Sequence, residues 1–165
     1  MCSSDLDDYI LATVHRAENT DIPDNIEGVL RGLAALGRKV VLPLHPRTKK
    51  TAARFGLGGL LEPPSLHVIE PVGYLDMLRL MDNAALIVTD SGGVQKEAFI
   101  LGKQCITLRD ETEWLETLAT GWNVLVGLGG RDLIKNYDFK PPKENQSAPY
   151  GDGHAGERIA ALLDR

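Results

Sequence analysis

Apolar residues along this chain gather in short continuous runs, separated by stretches with helical spacing. The runs lie at residues 9–14 (YILATV), 40–44 (VVLPL), 66–70 (LHVIE), 85–89 (ALIVT), 105–108 (CITL) and 124–127 (VLVG). Each has the length of a strand. Most lack the alternation of a sheet wetted on one face, so they predict parallel strands covered on both sides. Between them, Ile26, Val29, Leu30, Leu33 and Leu36 fall on one helical stripe, with Asp24 or Asn25 available as cap and Gly37 as stop. Tyr74, Leu75, Met77, Leu78, Leu80 and Met81 make a second stripe. Residues 156–165 (GERIAALLDR) read as a closing helix with Ile159, Leu162 and Leu163 on one side, reached through a proline-rich surface connection at 139–153. Strand and helix alternating about six times predict an α/β fold: a Rossmann-like parallel sheet of about six strands with helices on both faces.

In open sheets of this kind ligands sit beyond the carboxyl ends of the strands, so the residues that follow each run carry the functional signal. Here they read HRAEN (15–19), HP (45–46), PVGY (71–74), DSGG (90–93) and RDETEW (109–114), which places polar, titratable and glycine-rich residues on one rim. At DSGG the first amides of the following helix point outward with the positive end of the helix dipole. Gly92 and Gly93 remove side chains that would hold an anion away, and Ser91 adds a hydroxyl. Glu97, one turn further, could accept hydrogen bonds from ribose hydroxyls, which suits a nucleotide better than free phosphate. The plainer alternative is a tight turn with Ser91 or Asp90 as N-cap and Glu97 solvated.

Across the rim, His15 and Arg16 offer an imidazole and a guanidinium to a diphosphate, with Glu18 and Asn19 directly behind them. Arg109 is either a third positive group for the same anion or the partner of Asp110, Glu111 or Glu113. His45 before Pro46 reads as a turn former, His67 and His154 carry no signal, and Trp114 and Trp122 read as helix-to-sheet packing.

Composition narrows the class. A chain of 165 residues with 43% hydrophobic and 25% charged residues suits one soluble globular domain. A net charge of −5 makes nucleic acid a poor partner, because phosphate-backbone binding normally shows as a basic face. No apolar run approaches the roughly 18 residues that span a bilayer, and no signal peptide opens the chain, so the expected compartment is the cytoplasm. Cys2 and Cys105 form neither a disulfide framework nor a zinc pattern, and no His or carboxylate spacing suggests a metal. The Walker pattern and the nucleophile elbow Gly-x-Ser-x-Gly are missing, and no Gly-x-Gly-x-x-Gly follows the first strand, which disfavours a nicotinamide; no cofactor is expected.

The segments TVHRAENTD, EPVGYLDML, LIVTDSGGVQKEA, GKQCITLRDETEW, GWNVLVG and YGDGHAGERIA resemble, in order, the C-terminal domain of the non-hydrolysing UDP-N-acetylglucosamine 2-epimerase family. The resemblance implies the C-terminal half of a GT-B type two-domain fold, and a reaction that interconverts UDP-GlcNAc and UDP-ManNAc by eliminating UDP and adding it back after inversion at C-2. It further implies that Ser91, Gly92 and Gly93 hold the phosphates, Glu97 the ribose, and the stretch from Pro71 to Tyr74 the uracil edge. His15, Arg16 and Arg109 would face the diphosphate, His15 being the one catalytic candidate, while the N-terminal half that supplies the proton-moving carboxylates is missing. Full-length members are expected to be homodimers. Enzymes acting on UDP-2,3-diacetamido-glucuronic acid share these motifs, and the nucleotide-binding half of a GT-B glycosyltransferase and a non-catalytic flavodoxin-like domain are the other readings. Residues 1–8 are expected to be a foreign or disordered stretch, with residues 9–165 as the UDP-binding domain.

Overall fold

The computed structural model describes residues 9–136, 140 and 149–163. Its six strands are β1 (Ile10–Thr13), β2 (Val40–Pro43), β3 (Leu66–Ile69), β4 (Leu86–Thr89), β5 (Cys105–Thr107) and β6 (Asn123–Leu125), ordered β3-β2-β1-β4-β5-β6 and parallel throughout. The α-helices are α1 (Ala17–Thr20), α2 (Pro23–Ala34), α3 (Pro46–Arg54), α4 (Tyr74–Asn83), α5 (Gly92–Ile100), α6 (Leu115–Ala119), α7 (Leu133–Asn136) and α8 (Ala155–Leu163). Most strands stop short of their apolar runs. Val14 and Leu44, for example, stay buried after their ladders have ended.

The continuous apolar runs divide between two cores, as the period-2 geometry of a strand requires. Ile10 and Ala12 of β1, Val40 and Leu42 of β2, Leu86 and Val88 of β4 and Ile106 of β5 join α2 on one face. Leu11, Val41, Ile87 and Cys105 join Met81 of α4 and Ala98 of α5 on the other. Fully burying each such Ile or Leu contributes about 1.5–3 kcal/mol, so neither face can be given up. The same burial pushes the Cys105 thiol up to about 12, which makes it packing material and not a nucleophile.

Two helix expectations change. The cap of α2 is Ile22 in an extended conformation, followed by Pro23 at the first helical position, where its fixed φ starts the helix. Asn25 lies inside the helix and donates to the Glu18 carbonyl at 2.7 Å, and Asp24 serves as the acidic residue of the first turn. The helix ends at Ala34, and Gly37 takes a positive φ of 67° just beyond it. In α4 the stripe is narrower than expected: Met81 is buried and Met77, Leu78 and Leu80 pack beside it, but Tyr74 and Leu75 are 63% and 71% exposed.

After β6 the chain makes a glycine turn in which Gly127, Gly129 and Gly130 all have positive φ. It lies against α2 so closely that a Cβ on Gly28 would sit 2.6 Å from the Gly129 carbonyl oxygen. At the other end of the described residues α8 has no buried residue, and Ile159, Leu162 and Leu163 are exposed. Tyr150, ahead of that helix, packs edge-on against Phe99 and Trp114 at 5.5 and 5.7 Å between ring centres. The stretch 1–8, expected to be foreign or disordered, and most of the connection at 139–153 lie outside the described residues. Among the described residues no helix is long and apolar enough to cross a membrane.

Candidate functional site

The strand order reverses between β1 and β4, and the loops leaving them diverge there, opening the crevice in which such sheets take ligands. Thr13 and Thr89 share a buried hydroxyl hydrogen bond of 2.6 Å across this seam. Asp90 follows Thr89 and is fully buried. Its carboxylate accepts from the backbone N–H of His15 at 3.1 and 3.2 Å, from that of Arg16 at 3.0 Å and from the Asn19 side-chain amide at 3.3 Å. A buried carboxylate is tolerable when donors surround it, and these donors come from the first turn after β1. Asp90 therefore holds HRAEN in place. Local sequence suggested only a cap for it, because its partners lie more than 70 residues earlier.

His15 keeps 40% of its side chain exposed, with Nε2 at 3.9 Å from Asp90 Oδ1 and its ring 5.5 Å from that of His45. His45 is the N-cap of α3: its Nδ1 accepts from the Arg47 amide at 3.1 Å, as a turn former should. Its place beside His15 was legible only as a second histidine at a strand end.

Asn19 has a structural part beside its place on the rim. It is fully buried; besides Asp90, its amide donates to the Leu108 carbonyl at 2.8 Å, and its oxygen accepts from the Gly129 amide at 3.0 Å. Its polar atoms are occupied in tying β1, β5 and the glycine turn together. Together with Arg16, Glu18 and Arg109 it also lines a cavity of 340 Å³, closed by Asp110, Glu111 and Leu128.

At the start of α5, Ser91 is the N-cap, accepting from the Val94 amide at a long 3.5 Å. The two glycines differ. Gly93 is exposed, and a Cβ there would meet only the Ser91 hydroxyl, at 3.9 Å. Gly92 is buried, and a Cβ there would collide with Oε1 of Glu113. The expectation of clearance for an anion at both glycines is corrected accordingly: Gly93 is open, while the space over Gly92 is taken by this chain's own carboxylate. Arg109 falls on the ion-pair side of its two readings, with Nη1 at 2.8 Å from Glu113 Oε2 and only 15% of its side chain exposed. The Glu113 carboxyl is held below its ordinary value, first by its own backbone N–H and then by Arg109, with Arg16 adding a smaller share. In the sequence Glu113 is legible only as a possible partner of Arg109.

Further along the rim Pro71 is exposed, and Tyr74 stands beside Glu97 of α5. The neighbouring Glu97 charge raises the Tyr74 phenol, which partial loss of solvent and a hydrogen bond to the same carboxylate raise further. The structure thus brings His15, Arg16, Ser91, Gly93 and Arg109 around one crevice, joined through Asp90 and Glu113, and pairs Tyr74 with Glu97 at its edge. Among the described residues no group of three or more His, Cys, Asp or Glu is placed to hold a metal ion.

Known proteins resemble this chain over nearly its whole length. A UDP-N-acetylglucosamine 2-epimerase homolog of Methanococcus maripaludis is 45% identical over 157 residues, covering 94% of this chain and 44% of the relative. The UDP-2,3-diacetamido-2,3-dideoxy-D-glucuronate 2-epimerase of Pseudomonas aeruginosa is 47% identical over 163 residues, with coverages of 95% and 44%. The crystal structure of the Methanocaldococcus jannaschii UDP-GlcNAc 2-epimerase in complex with UDP-GlcNAc and UDP superposes with a TM-score of 0.87 at 44% identity, over 98% of this chain and 46% of that one. The chain thus spans less than half the length of these relatives, and its fold is one Rossmann-like half of the GT-B type. The family profile for UDP-N-acetylglucosamine 2-epimerase matches residues 3–164, and the chain belongs to that family.

Proposed function

We propose that this chain is the UDP-sugar-binding half of a UDP-N-acetylglucosamine 2-epimerase, interconverting UDP-GlcNAc and UDP-ManNAc by elimination and re-addition of UDP. The observation that carries the reading is the open step at Gly93 on the first turn of α5, directly after the carboxylate that holds His15 and Arg16. Outward amides, a serine hydroxyl and a guanidinium form a local positive field on a chain of net charge −5. Such a field stabilises the charge that develops on a departing diphosphate. His15, exposed beside it, donates to that leaving group, and Glu97 takes the ribose with Tyr74 and Pro71 at the base. The carboxylates that move the C-2 proton belong to an N-terminal half, against which the apolar side of α8 docks. The full-length enzyme is a cytoplasmic homodimer in this reading.

Calorimetric titration with UDP tests it. Gly93→Glu puts a carboxylate into space that the fold leaves open, so the variant should fold normally by circular dichroism and bind UDP about tenfold more weakly or worse. Equal affinity in both proteins removes α5 from the site. A second reading, a UDP-2,3-diacetamido-glucuronic acid 2-epimerase, is favoured by the 47% identity to the Pseudomonas enzyme. Turnover of the two sugars by the complete gene product separates them.

A further inference from the structure

Glu113 occupies an unusual position for a surface carboxylate. One oxygen pairs with Arg109 at 2.8 Å, and the other lies over Gly92 at the first turn of α5. The carboxylate therefore sits where the guanidinium and the positive end of the helix meet, which is where a phosphate would gain most. The side chain is 48% exposed on a flexible stem, and the side-chain partner that holds its carboxylate is Arg109, the same group a phosphate would take. Beside it the indole Nε1 of Trp114 is buried without a hydrogen-bond partner, 3.3 Å from the Cβ position of Gly92. An unpaired buried donor is costly, and an anion at this point would give it an acceptor.

We propose that Glu113 is a built-in competitor for the diphosphate: its carboxylate takes the anion position at the head of α5 and must swing out for a diphosphate to enter, passing Arg109 to the phosphate oxygens. The inference rests on the nucleotide-sugar reading of the same crevice. It makes Glu113 the residue that sets how tightly the eliminated UDP is held. A site that must release or recapture UDP gains from a competitor that returns to the same pair of positive groups.

Glu113→Gln keeps size and removes the charge. Titrated at low salt, the variant should bind both inorganic pyrophosphate and UDP about two- to fivefold more tightly than the parent, with the response to uridine unchanged. Glu113→Ala should move in the same direction. Unchanged or weakened pyrophosphate and UDP binding in the two variants overturns the proposal and assigns Glu113 to positioning Arg109. Tighter pyrophosphate with no gain from the uridine moiety would leave the competitor standing and sink the nucleotide reading instead. Binding of neither anion by any of the proteins would sink both.

Discussion

At the residue scale the decisive group is Asp90, a buried carboxylate whose acceptors are filled from the opposite side of the seam. Asp90→Asn keeps the shape but turns one acceptor into a donor facing N–H groups. We expect a loss of about 1.5–3 kcal/mol in urea unfolding, together with weaker UDP binding, because His15 and Arg16 lose their anchor. A loss of stability with UDP affinity intact would separate the anchor from the site. The DSGG motif puts Asp90 on the rim but carries no sign of what it holds, and the same is true of Asn19 in HRAEN. Both act through the tertiary pairing that sets β1 beside β4 and β4 beside β5, for which local patterning has no signal. The glycine pair shows a further limit: two adjacent residues of identical local freedom face different surroundings, one open and one under Glu113.

At the scale of elements, periodicity located all six strands and the longer named helices, since burial on both faces leaves a plain imprint on a parallel strand. It missed the start of α2, where Pro23 outweighs the capping side chains nearby, and it did not name α3, whose buried residues are Thr48, Thr51 and Ala52. A helix resting on threonine and alanine writes no apolar stripe. The contact between α2 and the glycine turn yields a prediction of reversed sign. Gly to Ala inside a helix ordinarily stabilises by up to about 1 kcal/mol. At Gly28 the added methyl meets the Gly129 carbonyl at 2.6 Å, so Gly28→Ala should destabilise by about 1–3 kcal/mol in urea titration. Neutral or stabilising behaviour would mean that the turn does not bear on the helix.

For the whole molecule, the covered core and the bare α8 make different demands. Since α8 buries none of its residues against the described chain, deleting residues 151–165 should shift the melting temperature by no more than about 2 °C. The same deletion should reduce self-association in sedimentation velocity, because Ile159, Leu162 and Leu163 leave with it. A large drop in melting temperature would show that α8 packs on the core in solution. The seam between β1 and β4 has a kinetic consequence of its own. Its two sides are brought together only after the intervening chain, with β2 and β3, has been folded into a long closed loop, a step opposed by entropy and late by its nature. Whatever grips His15 on one bank and the head of α5 on the other acts as a clasp on that loop, so an occupant would slow the unzipping of the sheet at its middle.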